Sequence, residues 1–283
     1  MFPSGSGGMA YLQYDYQDQN RNWSGTSTAP AANNGDKEIA TDFTTFGLQY
    51  MFNNSWGAQL ELPYDYRSFT TTSAAPGNPI TNIKWGALGD IRLEGIYTGF
   101  FADQSAGVNF GVKLPTGDWT HNDAWGDVDR DSEIGTGSTD VLLGGFYRGN
   151  ITKDEKWDWF AQGLLDAPVL IQQSYRPGVE LDASAGIDYK GFSIGHVRIS
   201  PVAQVIASYR GHDTGDNASG GINQPPVGVQ NSGYERILLS PGIEFHIHPV
   251  KVYADVEIPV YQDFTGNQLA APVLFKVSMS CMF

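Results

Sequence analysis

The chain ends on LFKVSMSCMF, residues 274–283, and the reading of this stretch decides the fold. Val273, Phe275, Val277, Met279, Cys281 and Phe283 share one parity. Pro272, Lys276, Ser278 and Ser280 share the other, with Leu274 and Met282 as its apolar exceptions. Side chains on an extended backbone alternate between faces, so this is a strand with one apolar and one mostly polar face. What remains to be decided is which solvent the apolar face meets.

The pattern recurs upstream. Alternating segments read at 9–17, 39–52, 56–69, 87–102, 105–115, 139–149, 157–170, 178–190, 195–210, 233–247, 250–262 and 271–283. The clearest are VELDASAGIDY (179–189) and VKVYADVEIPV (250–260). A tilted membrane strand needs about 9–11 residues, and every segment reaches that. The gaps alternate long and short in the first half of the chain, and the later ones are mixed, QQSYRPG (172–178) being short where a long one is due. Long ones fall near 18–38, 70–86, 116–138 and 211–232, while NNS (53–55), DQ (103–104) and HP (248–249) are tight. Such sorting fits a barrel with short turns at the periplasmic end and loops outside. The expectation is one all-β domain over 1–283: a closed antiparallel transmembrane β-barrel of about 12 strands, up-and-down, both termini periplasmic.

Aromatic placement agrees. On the apolar parity, Tyr50, Phe52, Trp56, Tyr147, Trp157, Tyr189 and Phe245 lie near the expected turn end, and Tyr14, Tyr64, Tyr66 and Tyr209 near the loop end. Interfacial rings flanking an aliphatic band belong to a lipid-facing surface. Phe283 is then the last lipid-facing residue, and it resembles the C-terminal aromatic signal read by the barrel assembly machinery. Lipid and lipopolysaccharide are the expected surroundings. Pro201 and Pro241 fall inside the ninth and tenth segments, where a missing N–H predicts a bulge or break between those neighbours.

Composition narrows the function. A net charge of -14 argues against a nucleic-acid partner, which would need a basic face. One cysteine permits no internal disulfide, and no run approaches the roughly 18–20 apolar residues of a membrane helix. The opening MFPSGSGGMA lacks the basic and long apolar regions of a signal peptide, so an outer-membrane location implies a leader outside these residues.

The inward parity collects both signs of charge. Glu61, Asp65, Arg67, Asp90, Arg92, Glu94, Lys113, Asp166, Glu180, Asp182, Arg198, Asp255 and Glu257 are the candidate pore-lining residues. They serve either a salt-bridged polar interior or a water-filled path favouring cations and polar solutes. ELP (61–63), KLP (113–115), DAP (166–168) and EIP (257–259) repeat on outward-running segments. Glu61, Lys113, Asp166 and Glu257 are therefore expected to share a constriction, unless these prolines simply end strand pairing. Twelve strands lie between side-chain-filled barrels of eight and open ones of 16–18, so the pore should be narrow.

Other sites are weaker. Asp127, Asp129, Asp131 and Glu133 alternate like a calcium loop but lack its glycine and distal glutamate, so a solvated acidic loop is the better reading. His246 and His248 at HIHP offer two ligands without a third. A lipid-hydrolysing barrel would need a histidine on the lipid face beside a nucleophile, and none has that parity. No enzyme activity and no cofactor are expected.

LGDIRLEGIY (88–97), GVKLPTGD (111–118), GTGSTDVLLGGFY (135–147) and the stretch 253–283 resemble the outer-membrane family named for transport in the meta-pathway of phenol degradation. The resemblance implies a barrel associated with uptake of small, often aromatic, compounds and carries over no catalytic residues. The leading expectation is an outer-membrane channel for passive diffusion of small solutes, aromatic or hydrophobic ones included. The alternative is a non-conducting structural or partner-binding barrel.

Overall fold

A computed structural model describes residues 6–73, 75–123, 126–215 and 231–283. Twelve strands form the wall: β1 (Gly7–Gln19), β2 (Asp36–Met51), β3 (Trp56–Thr72), β4 in two stretches (Ile80–Leu88 and Ile91–Tyr97), β5 (Ala106–Leu114), β6 (Ser138–Asn150), β7 (Trp157–Ile171), β8 (Glu180–Tyr189), β9 (Val197–Arg210), β10 (Tyr234–Ile247), β11 (Val250–Ala270) and β12 (Leu274–Met282). Each pairs antiparallel with the next, and β1 pairs with β12 from Met9↔Met282 to Gln17↔Leu274. The ring is closed and up-and-down, so no strand edge faces lipid within the wall. Phe283 completes the seam: Gly8 N–H donates to its carbonyl at 2.8 Å, and its own N–H donates to the Gly8 carbonyl at 2.9 Å.

The parity reading holds along the strands. Leu12, Leu48, Phe110, Leu143, Val205 and Val277 are exposed on the outside, while Asp65, Glu94, Lys113, Asp140, Asp166 and Asp255 are buried on the inside. At the turn end, aromatic contacts run along the rim. Trp56 meets Tyr97 at 4.7 Å, Tyr147 meets Trp159 at 5.1 Å, and Trp157 meets Tyr189 at 4.9 Å between ring centroids.

Three expectations need correction. The segment 70–86 is not wholly loop. β4 begins at Ile80 and pairs with β3 up to Thr72↔Ile80, because Ile80, Asn82, Lys84 and Gly86 continue the outward set above the apolar band. Nor does the ladder break between β9 and β10, which pair without a register shift through Pro201↔Ile243 and Ala203↔Pro241. It lapses on the other flank of each proline. Ser200 and Pro201 have no partner on the β8 side, and Ser240 and Pro241 have none on the β11 side. Each missing N–H thus falls where pairing has already stopped. The region 18–38 also carries strand: Arg21–Gly25 pairs with the outer part of β11. Most of 211–232 lies outside the described residues.

The four charge-x-proline repeats coincide with irregularities in the wall. The β3–β4 ladder breaks beside Pro63, where Gly89 N–H donates to the Pro63 carbonyl at 2.9 Å. β5 ends at Leu114, just before Pro115. Register shifts lie at Asp140↔Pro168 and Leu238↔Pro259. These prolines interrupt pairing, and their recurrence needs no filter to explain it.

Candidate functional site

The bore holds a cavity of about 710 Å³. On β1–β5, Gln13, Gln49, Gln59, Glu61, Arg92, Glu94 and Asn109 line it. On β6–β10 the lining is mixed: Phe146, Phe160, Leu164, Val202, Ile206 and Leu238 contribute apolar surface among charged and polar groups that include Arg148, Asp158, Asp182, Asp188, Arg236 and Glu244. Of the sequence candidates, Glu61, Arg92, Glu94, Asp182 and Glu257 reach this cavity. The lumen glutamines and the inward Phe146, Phe160 and Leu164 carry no charge, so an inward set defined by charge does not contain them.

Other candidates form the wall's internal bracing. Lys113 sits 2.5 Å from Asp140 and 2.9 Å from Asp166, and Arg92 lies 3.5 Å from Asp166. Glu257 pairs with Lys276 at 2.7 Å, and Glu180 with Arg210 at 3.6 Å. Asp255 accepts from Ser240 at 2.5 Å, Tyr253 at 2.9 Å and Gln204 at 3.0 Å. Arg198 donates to His246 Nδ1 at 2.8 Å, which makes that histidine part of the bracing. Lys113 and Asp166 do meet, and Glu61 shares a cross-strand row with Arg92 and Lys113. Glu257 stands apart with its own lysine, so the four expected residues do not close into one ring.

Asp65, Arg67 and Asp90 belong to a cap. The connection from β5 to β6 folds into the loop end of the bore instead of standing outside it. Arg67 donates to the main-chain carbonyls of Ser132 at 2.5 Å and Glu133 at 2.9 Å. Asp90 accepts from the N–H of Gly117 at 2.9 Å and from the N–H and hydroxyl of Thr136 at 2.8 and 2.6 Å. Val128 and Ile134 pack on Phe69 and Trp85 of the inner wall. Gly117 and Gly135 lie back to back, and a Cβ on Gly135 would come within 2.5 Å of the Gly117 carbonyl carbon. Arg130 is held between Trp119 and Tyr175, 4.8 and 4.9 Å from their ring centroids. Tyr175 donates to Asp213 at 2.8 Å, which ties the β7–β8 and β9–β10 connections into the same cap. Asp65 is buried just below, with one carboxylate oxygen unpartnered.

Among the described residues no three metal-binding side chains converge, and the Asp127 side chain lies outside the description. Glu133 is buried with neither carboxyl oxygen hydrogen-bonded. Burial, helped by the nearby Asp118, pushes its carboxyl up to about 9. Burial likewise raises Asp129 to about 7, with Asp131 adding to the effect.

No protein-family model matches the chain, and no curated protein matches it by sequence. The shape has solved counterparts. An outer-membrane channel from Pseudomonas putida F1 superposes with a TM-score of 0.64 at 11% identity, covering 100% of this chain and 97% of that one. The β domain of the Bordetella autotransporter BrkA gives 0.56 at 12% identity, with 98% and 100% covered. At such identities the likeness is one of fold. With the closed wall and oily exterior, it makes the chain a transmembrane β-barrel of the outer membrane. Membership of the phenol-degradation family gains no support from the family comparison.

Proposed function

We propose that the barrel is an outer-membrane channel through which small solutes diffuse passively, aromatic and other hydrophobic compounds among them. The observation that carries this reading is the cavity of about 710 Å³, whose charged and polar lining is interrupted by Phe146, Phe160, Leu164, Val202, Ile206 and Leu238. A barrel serving only as a scaffold gains nothing from Phe146, Phe160 and Leu164 facing water. Glu61, Arg92, Glu94, Asp182 and Glu257 would line the path, with the inner cap as its narrowest part. Phe283 and the seam strand would present the signal for assembly, and the aromatic rims would contact lipid and lipopolysaccharide. The reading requires no cofactor and no catalysis. Liposomes containing the purified barrel should swell faster in phenols than in sugars of similar size, and single-channel steps should be small.

The cap favours a second reading, a non-conducting barrel that holds a partner or is simply filled. The autotransporter counterpart shows that this shape also occurs in a domain that is not named a channel. A bilayer that stays silent, even after the cap is loosened, would establish the second reading over the first.

A further inference from the structure

The geometry points to a binding site for a small organic cation with an apolar body, an arylalkylamine being the simplest case, in the central cavity beside Glu61, Glu94 and Phe146. This rests on the channel reading for its purpose but not for its chemistry. Around β3–β5, the carboxylates Glu61 and Glu94, with Asp140 and Asp166 beside them, have two neighbouring cations, Arg92 and Lys113; Arg148 of β6 also lines the cavity. Lys113 is taken by Asp140 and Asp166, and Arg92, the cross-strand neighbour of Glu61, lies 3.5 Å from Asp166. Glu61 accepts only neutral donors, Tyr11 at 2.5 Å and Gln59 at 2.9 Å. Glu94 likewise accepts from the Asn109 amide. Among the described residues, no Lys or Arg nitrogen lies within 4.0 Å of either glutamate. Elsewhere in the cavity Glu257 pairs with Lys276, Asp158 with Lys190 and Glu244 with Lys251, while Asp182 and Asp188 have no Lys or Arg nitrogen within 4.0 Å among the described residues.

Glu61 and Glu94 face the cavity close to its first aromatic side chain, Phe146. Asn109, which holds Glu94, pairs across the sheet with Gly144, two residues from Phe146. Phe146 lies over Gly107, and Phe160 over Gly186, so both rings lie along the wall. An ammonium group between Glu61 and Glu94 would have its ring or chain beside Phe146, with Phe160 and Leu164 next on the same wall. A carboxylate supplies charge-assisted hydrogen bonds to the head, and the aromatic faces favour a cation over a neutral isostere. An anion meets the opposite field.

Equilibrium dialysis of the barrel in nanodiscs, with empty nanodiscs subtracted, tests this directly. The probes are benzylamine, benzyl alcohol, benzoate and methylammonium. Benzylamine should bind at least tenfold tighter than the other three. Glu61→Gln with Glu94→Gln should lower its affinity tenfold or more, and Phe146→Ala should weaken benzylamine while leaving methylammonium unchanged. Benzyl alcohol binding as well as benzylamine, or full affinity in the double variant, overturns the assignment. If a variant fails to fold, the probe series on the unaltered barrel decides alone. Dialysis needs no conduction. Amine binding with silent bilayers would refute the channel and keep the site; open channels without amine preference would do the reverse.

Discussion

Tyr11 on β1 reaches across Gly47 of β2 and donates its hydroxyl proton to Glu61 on β3 at 2.5 Å. The ring lies flat on the glycine, where a Cβ would come within 1.9 Å of Tyr11 Cζ. Gly47 is thus the gap that lets a bond span three strands. Gly47→Ala should push the ring off and break the bond, and Tyr11→Phe should remove the bond without the clash. Hydrogen bonds to charged groups contribute about 1.5–3 kcal/mol, so Tyr11→Phe should lose about that much and Gly47→Ala more. Urea unfolding in lipid vesicles measures both, and equal stability of all three proteins would contradict the contact.

Lys113 is the cation for two buried aspartates. Lys113→Met should strand Asp140 and Asp166 and cost about 3–5 kcal/mol, the usual penalty for removing one partner of a buried pair. Adding Asp140→Asn should recover part of the loss, because it removes one stranded charge. A double variant no more stable than the single would show that the cluster is already solvated.

Arg67 holds the cap by main-chain carbonyls, so its removal should free the loop without changing the loop's sequence. Arg67→Met is expected to raise single-channel conductance several-fold and to make the β5–β6 connection sensitive to protease. Conductance that does not change would place the narrowest point elsewhere.

Glu133 gives the cap a pH dependence. A released loop would ionise it near its ordinary 4.5, whereas the buried carboxyl holds its proton to about 9. The docked loop therefore binds the extra proton between those values, and the cap is firmest below the lower one. It weakens steadily as the pH rises toward the upper one, and Asp129, raised to about 7, works in the same sense. Open probability should climb at least tenfold between pH 5 and pH 8, and Glu133→Gln should flatten most of that rise. A cap that tightens with rising pH would reverse the assignment.

Glu61 and Glu257 bear on selectivity. Neutralising both as glutamine should shift the reversal potential in a potassium chloride gradient toward anions, since Lys276 would keep only Asp15, at 3.6 Å, as a counter-charge. An unmoved reversal potential would separate these residues from the ion path.

Much of the wall was legible because the strand period is two and lipid tolerates no charge on the outward face. The terminal strand, the aromatic rims and the inward acids all followed from that rule. The extra stretch of β4 did not, because above the apolar band outward positions are polar and Asn82 or Lys84 reads as loop. The cap was invisible for another reason. Val128 and Ile134 look like stray apolar residues in an acidic connection until Phe69 and Trp85 are seen facing them. The inward Phe146 and Leu164 escape the rule because they sit beside glycines and outward leucines, which blurs the alternation there.

The nine pairs from Met9↔Met282 to Gln17↔Leu274, with the two bonds between Gly8 and Phe283, join the first wall strand to the twelfth. The ring therefore cannot shut until β12 has been made, and every shorter intermediate is an open ribbon with two sticky margins. A barrel deprived of that one strand is left with a hole in its side.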